Sequence, residues 1–385
     1  MNQAPALSSR FERWQQMALG VGVIGLLVGG AGAFLGLEQF LRSYLFGYLF
    51  WVGITLGCLA LMLLQYLVRG SWGIPIQRLL EAGARTLPLM ALLFIPILLS
   101  LPVLYEWARP QAVAADAVLQ AKQPYLNVPF FVARAVVYFV LWGGIVYLLT
   151  RRAWAIEQNA DPEAVSGLRT VSALSLLLFS LTATFAFVDW AMSLEPRWYS
   201  TIYSALVILG GVVGAFALVI LVALRLARRE PLASAITPRT LNDLGALLLA
   251  FVVLWAYFAF SQFFLIWAGN LSEEIPWYLR RLQGGWEWVA LVVAIAHFAL
   301  PFFLLLARDM KRDARVLSGV AALLVVAELV DVFWLVTPAF HEAQFALHWL
   351  DLVVPVAIGG LWAAAFLWQV RQRPLLPEGA RRGHA

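Results

Sequence analysis

The sequence "STIYSALVILGGVVGAFALVILVAL", residues 200–224, carries no charged side chain. A helix rises about 1.5 Å per residue, so this stretch is long enough to cross the roughly 30 Å of hydrocarbon in a bilayer. Nine more stretches of this kind lie near residues 15–36, 43–67, 86–105, 128–150, 168–189, 241–268, 285–307, 315–337 and 349–370. The sequence therefore predicts ten transmembrane helices.

The composition supports the same fold class. Of the 385 residues, 62% are hydrophobic and 13% are charged, whereas soluble domains are about 45–50% apolar and about 25% charged. An aqueous fold of this length could not bury so much apolar surface, so lipid must cover it. We predict an all-α integral membrane protein without a large soluble domain.

Three regions are expected along the chain: a cytoplasmic N-terminus at 1–14, a membrane domain at 15–370 and a cytoplasmic tail at 371–385. The first apolar stretch exceeds the about 7–15 residues of a signal peptide, which favours a membrane anchor. The link "RGSWGIPIQRLLEAGARTLP", residues 69–88, has helical spacing but is polar. We expect it to lie as an amphipathic helix on the inner membrane surface.

The Lys and Arg residues set the orientation. With the N-terminus in the cytoplasm, 20 of the 27 basic residues fall in cytoplasmic segments and 6 in outer segments, while Arg134 lies within a helix. This asymmetry follows the positive-inside rule and predicts that both termini face the cytoplasm. The net charge of +5 is explained by these anchoring residues, so no nucleic-acid partner is expected.

Cysteine and histidine usage argues against several cofactors. The single cysteine, Cys58, excludes a disulfide framework, iron–sulfur ligation and a Cys-x-x-Cys-His haem attachment. Only His297 of the four histidines lies well inside a predicted helix, so paired haem ligands at one depth are not expected. No His/Cys/carboxylate spacing predicts a metal site, and no Gly-rich phosphate loop is present.

Several polar side chains lie within the predicted helices, although a charge in hydrocarbon costs about 2.5–3.5 kcal/mol on insertion scales. Each must therefore face protein and find a partner. By depth, Arg134 is expected to pair with Asp189 or Asp331, and Glu328 shares a helix face with Asp331. We predict that these charges form one cluster near the outer side, which holds a ligand headgroup or passes protons. The alternative is that they form interhelical salt bridges with no other role.

The segment around Asp189, "FVDWAMSLEPRWYSTIYSALVILGG" at 187–211, resembles NrfD-like membrane subunits of alternative complex III, a quinol:cytochrome c or quinol:oxidase oxidoreductase. The chain is more similar to the shorter, ActF-type subunit. Other stretches agree: "WGIPIQRLLEAGARTLPLMALLFIPIL" (72–98), "YLNVPFFVARAVVYFVLW" (125–142), "FSQFFLIWAGNLSEEIPWYLRR" (260–281), "HFALPFFLLLARDM" (297–310) and "ELVDVFWLVTP" (328–338).

The resemblance implies two four-helix bundles, helices two to five and six to nine, flanked by helices one and ten. It implies a place in the bacterial inner membrane and these partners: a multihaem cytochrome, an iron–sulfur subunit, a monohaem cytochrome, a second NrfD-like subunit and a terminal oxidase. It also implies that the chain holds no redox cofactor of its own, although quinone or quinol and lipids are expected ligands. Roles in proton conduction, a second quinone site or assembly follow from the same resemblance, and quinol oxidation itself is assigned to the other NrfD-like subunit.

Of these roles, proton transfer is the one that can be tested by replacing individual residues. Buried carboxylates can relay the protons that quinol oxidation releases. Asp189, Glu328 and Asp331 would form the outer half of a path, and Asp243 the inner entry. A continuous path would need His297, Tyr257 or ordered water between them. The candidate site residues, none of them expected to be catalytic, are Arg134, Asp189, Asp243, Tyr257, Gln262, His297, Glu328 and Asp331.

Two other functions are compatible with the sequence. A stand-alone secondary transporter would also have many helices and midplane polar residues, and it would need discontinuous helices around a substrate site. A purely structural anchor for peripheral electron carriers would need neither a proton path nor a ligand site. A transporter should purify without haem subunits. In a structural anchor, replacing the buried carboxylates should affect assembly of the complex but not its rate.

Overall fold

The computed structural model describes residues 4–159, 162–227, 230–341 and 344–376. Most of the predicted C-terminal tail, 377–385, lies outside this part of the chain, as does the start of the N-terminal region. Ten helices are long and apolar enough to span a membrane, and we label them α1 to α10. In order they are Arg10–Leu35, Leu37–Val68, Gln77–Leu99, Val128–Gln158, Val165–Leu194, Tyr203–Leu226, Pro238–Gly269, Trp286–Leu306, Ala314–Phe340 and Leu350–Arg371.

All ten predicted spans are present, but the prediction that residues 69–88 lie on the inner membrane surface is wrong where α3 begins. Residues Gln77–Ala84 form a helix, yet nearly all of its side chains are buried instead of lying on a membrane surface. This helix packs against α2 and α10. Its polar residues, which suggested a surface location, are neutralised by buried ion pairs within the protein.

Prolines divide α3 into short pieces. Helical turns cover Gln77–Ala84, Leu87–Leu93 and Ile95–Leu99 within α3, and a further turn, Leu101–Leu104, follows it. Each of the last three has a proline in its first turn. Proline lacks the N–H that a continuous helix requires, but it is well accepted at a helix start. The interruptions therefore follow directly from the sequence.

Helix contacts show two four-membered rings. In the first bundle, α2 contacts α3 and α5, and α4 contacts α3 and α5; in the second, α6 contacts α7 and α9, and α8 contacts α7 and α9. Helices α1 and α10 pair with one another and flank α2. The predicted arrangement of two bundles with two flanking helices is thus confirmed. The start of α1 and the end of α10 lie together, because Arg371 forms a salt bridge with Glu12.

The bundles meet where α2 crosses α6, and glycines allow that contact. A Cβ added to Gly57 would lie 2.2 Å from the carbonyl oxygen of Gly211, and one added to Gly211 would lie 2.7 Å from that of Gly53. Between α1 and α10, a Cβ on Gly25 would lie 2.7 Å from that of Ala357. Small residues spaced four apart are typical of close packing between membrane helices.

Outward-facing side chains of the bundles are apolar, as contact with lipid requires. Leu177 on α5 is 71% exposed, Phe303 on α8 69% and Val140 on α4 66%. Short helices connect the spans outside this apolar zone; they cover Pro110–Ala115, Ala117–Lys122, Leu232–Ala235, Ile275–Arg281 and Arg308–Arg312.

Candidate functional site

The most unusual polar group in the molecule is an imidazole held between two carboxylates inside the second bundle. His297 Nε2 on α8 lies 3.5 Å from Glu328 Oε2 on α9, and His297 Nδ1 lies 3.8 Å from Asp331 Oδ2. All three residues are buried, and His297 is completely inaccessible. Neither imidazole nitrogen makes a hydrogen bond within the described part of the chain. A small side-chain rotation would bring either pair into hydrogen-bond range.

Local sequence explains why His297 reaches α9. A π-helical turn covers Ala294–Ala299, and it precedes Pro301, which has no N–H to donate to the carbonyl of residue 297. The wider turn accommodates this missing donor, and π turns of this kind are frequent at functional sites. On α9, Glu328 and Asp331 are three residues apart, so both carboxylates project from one face.

Glycines of α6 make room for Glu328. A Cβ added to Gly210 would lie 2.6 Å from Glu328 Oε2, and one added to Gly214 would lie 2.9 Å from Glu328 Cγ. Any larger residue would therefore displace the glutamate side chain. The two glycines let a long, charged side chain fit inside the bundle next to His297.

Trp255 on α7 completes the cluster. Its indole Nε1 donates a hydrogen bond to Asp331 Oδ2 at 3.2 Å, and its ring centroid lies 4.0 Å from that of His297. Trp255 is not recognisable as a site residue from the sequence, because nothing in its apolar surroundings distinguishes it from the 16 other tryptophans of the chain. We call His297, Glu328, Asp331 and Trp255 the imidazole cluster.

The imidazole cluster also has the composition of a cation site. One ligand atom from each of His297, Glu328 and Asp331 lies within 4.8 Å of the others, and imidazole and carboxylate groups are common zinc ligands. The sequence predicted no metal site, because the histidine and the carboxylates come from different helices and have no recognisable spacing. The two imidazole nitrogens face different carboxylates, so a metal bound to one nitrogen would leave the other facing a second acid.

A pocket of about 250 Å³ opens beside the cluster. Asp331 and Trp255 form part of its wall, and most other wall residues are apolar, among them Phe263, Phe298 and Trp334. Phe263 is 39% exposed, so the pocket reaches the outer surface of the bundle, where lipid lies. Its walls suit a flat, apolar molecule that carries a polar group able to meet Asp331.

Tyr278 lines the same pocket and connects it to Gln262, a predicted site residue. Gln262 Nε2 donates to the Tyr278 hydroxyl at 3.3 Å, and Gln262 Oε1 accepts from the Ser200 hydroxyl at 3.2 Å. Burial raises the pKa of Tyr278 to about 12, so this phenol stays protonated at neutral pH. The pocket thus has a neutral hydroxyl and a carboxylate along its wall.

In the first bundle, Arg134 on α4 forms a second, separate cluster with Asp189 on α5. The guanidinium donates from Nε to Asp189 Oδ2 at 2.8 Å and from Nη2 to Oδ1 at 2.9 Å. The Tyr138 hydroxyl, four residues along α4, donates to Asp189 Oδ2 at 2.9 Å. The guanidinium carbon also lies 3.9 Å from the Tyr125 ring centroid and 4.3 Å from that of Phe130.

The expectation of one shared cluster is therefore wrong, although the pair Arg134–Asp189 that it included is present. Asp331 shares no hydrogen-bond partner with Arg134 or Asp189 among the described residues. Depth also separates the clusters. Arg134 lies six residues after the start of α4, roughly 9 Å along the helix axis. His297 lies eleven residues after the start of α8, roughly 16 Å along its axis.

Two other predicted path residues are not connected to the imidazole cluster. Tyr257 is 63% exposed and points away from the bundle, so it cannot bridge the centre of the membrane. Asp243 accepts a hydrogen bond from the Asn242 amide at 3.5 Å and lies twelve residues before Trp255, roughly 18 Å along α7. The structure thus gives no support to the predicted inner half of a path through these residues.

Two buried ion-pair groups were not predicted from the sequence. On the side of the chain termini, Glu81 accepts from Arg78 at 2.8 Å and from the Tyr66 hydroxyl at 2.8 Å. At the opposite side, the fully buried Arg281 and the half-buried Arg280 both donate to the carboxylate of Glu195. The i,i+3 spacing of Arg78 and Glu81 was a usable signal, whereas the partners of Glu195 depend on tertiary packing.

The connecting segments beside α5 carry a further ionic group, which lies outside the spanning helices. Arg197 donates to Glu106 at 2.8 and 2.9 Å and to Asp116 at 2.8 Å. Hydrogen bonding to Arg197 is the main cause that lowers the pKa of Glu106 and of Asp116. This group joins the segments that cover the ends of α4 and α5.

Comparison with known proteins gives no family assignment. No family model matches the chain, and no curated protein is similar enough to count as a relative.

Proposed function

We propose that this chain is a membrane subunit of a respiratory quinol-oxidising complex and that its imidazole cluster transfers protons. The observation that carries the proposal is the buried His297 between Glu328 and Asp331, with both nitrogens free of hydrogen bonds in the described chain. An imidazole can accept a proton at one nitrogen and release one from the other. Its position between two acids therefore suits a relay better than a static ion pair.

The neighbouring pocket supports the link to quinol. A quinol ring is flat and apolar and carries hydroxyl groups, and the pocket offers aromatic walls, the Tyr278 hydroxyl and the Asp331 carboxylate. As two electrons leave a quinol, its two hydroxyl protons must be accepted. In the proposal, this pocket is the second quinone site of the complex. Asp331 accepts the two protons one after the other and His297 passes each toward Glu328, while the two electrons go to the iron–sulfur or cytochrome partners that the sequence resemblance implies.

The remaining predicted features belong to the same proposal. Both termini would face the cytoplasm of a bacterium, as the distribution of Lys and Arg indicates. His297, eleven residues into the 21-residue α8, would lie near the middle of the membrane. The first bundle, in which Asp189 is paired bidentately with Arg134, would have a structural role. A carboxylate held by a guanidinium is a poor proton acceptor, because protonation would leave the buried cation without a partner.

The test uses the complex in which the chain is purified and replaces Asp331 with Asn. The matched control is Asp351→Asn on α10, where an equally buried carboxylate accepts a hydrogen bond from the Ser43 hydroxyl. We expect Asp331→Asn to slow proton release and quinol turnover by about 10²-fold or more, as loss of a general acid–base group does, while Asp351→Asn leaves both rates unchanged.

Two outcomes would contradict the proposal. If the Asp331→Asn complex released protons at the normal rate, the relay role would be lost. If the chain purified without any haem or iron–sulfur subunit and moved a solute by itself, a secondary transporter would be the better assignment.

A further inference from the structure

A groove of about 860 Å³ lies at the end of the second bundle where the chain termini are. It is lined by the last turn of α6, the first turns of α7 and α9, and Ile236 in the link before α7. The groove does not include any residue of the imidazole cluster: its lining on α9 runs from Ala314 to Ala322, and Ala322 lies six residues before Glu328, roughly 9 Å along the helix. Its function is therefore a separate question.

Two arginines flank this groove. Arg225 lies in the last turn of α6 and Arg315 in the first turn of α9, so both are at the depth where apolar helix gives way to headgroups. Both are exposed, and neither forms a salt bridge within the described ranges. Asp313, the residue before α9, caps the helix by accepting backbone N–H groups of Arg315 and Val316. The groove thus has two cationic groups that no carboxylate of the described chain pairs with at salt-bridge distance.

The wall of the groove continues along the lipid-facing side of α9. Gly319 and Ala322 line it and are exposed, and Val326, one turn further, is 59% exposed. A Cβ added to Gly319 would meet no atom within 4 Å, so this face is open. A headgroup anion beside the two arginines would leave its acyl chain along this face of small and apolar residues.

We propose that this groove binds an anionic phospholipid, with the phosphate between Arg225 and Arg315 and an acyl chain along α9. Cationic pockets between membrane helices at headgroup depth suit anionic lipids, because the phosphate meets fixed positive charge and the chain stays in hydrocarbon. A zwitterionic lipid would bind more weakly, since its ammonium group opposes the same charges. The site depends only on membrane insertion and is independent of the proposed redox role.

The experiment is native mass spectrometry of the full-length chain, or of the complex in which it purifies, with dioleoyl phosphatidylglycerol or dioleoyl phosphatidylcholine added. The test variant is Arg225→Gln/Arg315→Gln. The control is Arg239→Gln/Arg312→Gln, which removes the same charge from exposed arginines outside the groove. We expect the test variant to bind phosphatidylglycerol about 30-fold more weakly and the control to bind it like the original chain.

Three results would overturn the proposal. One is equal binding of phosphatidylglycerol and phosphatidylcholine by the original chain. This measurement does not depend on whether any variant folds. Another is equal loss of phosphatidylglycerol in the test and control variants, which would indicate a diffuse charge effect. The third is disulfide or photo-cross-linking from Ala322→Cys to a co-purifying protein, which would show that a partner helix occupies the groove.

Discussion

Removing the guanidinium of Arg134 should destabilise the first bundle more than removing its carboxylate partner. Asp189 is fully buried and receives two hydrogen bonds from Arg134. In Arg134→Met, the carboxylate would keep only the Tyr138 hydroxyl. Leaving one charge of a buried pair without its partner costs about 3–5 kcal/mol.

In Asp189→Asn, the guanidinium would still meet the Tyr125 carbonyl at 2.9 Å and the rings of Tyr125 and Phe130. It is also near the helix start, where a long side chain can reach the interface. We therefore expect a smaller loss, about 1–3 kcal/mol. The double variant contains neither charge and should be less destabilised than the sum of the two single variants, by about 1.5–3 kcal/mol.

The assay is reversible unfolding in mixed micelles, with the free energy of unfolding measured for both single variants and the double variant. The control is Arg42→Met, which breaks an exposed pair with Glu38 and should cost less than about 1 kcal/mol. Additive effects of the Arg134 and Asp189 variants, to within about 0.5 kcal/mol, would refute the reasoning. Such a result would mean that Asp189 is solvated and not dependent on Arg134.

Three further changes test other contacts. Gly57→Ala places a methyl group 2.2 Å from the carbonyl oxygen of Gly211. The free energy of unfolding should therefore fall by about 1–3 kcal/mol or more. An unchanged free energy of unfolding would mean that α2 and α6 can move apart without cost. Hydrogen bonding to Arg197 lowers the pKa of Glu106 from its ordinary 4.5, so that pair stabilises the protein above about pH 4.5 and its contribution is lost as the pH falls through the lowered pKa. Arg197→Gln should remove this acid dependence from a curve of stability against pH. A variant curve identical to that of the original chain would contradict the pairing. Arg281→Gln removes a fully buried guanidinium and should lower the free energy of unfolding by about 3–5 kcal/mol. Arg280→Gln, at a partly exposed side chain, should lower it by less. Equal losses would mean that the burial of the guanidinium does not determine its contribution.

The sequence predicted the number of spans well because their length and lack of charge are local properties. It failed at Gln77–Ala84, where polar residues indicated a surface location. Arg78 and Glu81 neutralise one another inside the protein, and no local pattern distinguishes such a pair from two solvated charges. The helical conformation itself was predicted correctly.

The candidate site was harder to predict because lipid and protein interior are equally apolar. The hydrophobic pattern of a membrane helix therefore does not show which face is buried, and Tyr257 was placed in a path although it faces outward. Arg134 and Asp189 could be paired by depth alone. Assigning Asp331 to a different cluster required knowing that α4 and α9 belong to different bundles.

Infrared difference spectroscopy during quinol turnover tests the central claim most directly, because it detects protonation of buried carboxyl groups. If the imidazole cluster relays protons, a carboxyl C=O band should appear or shift on quinol addition, disappear in Asp331→Asn and persist in Asp351→Asn. The account would be contradicted by a spectrum that Asp331→Asn and Glu328→Gln both leave unchanged.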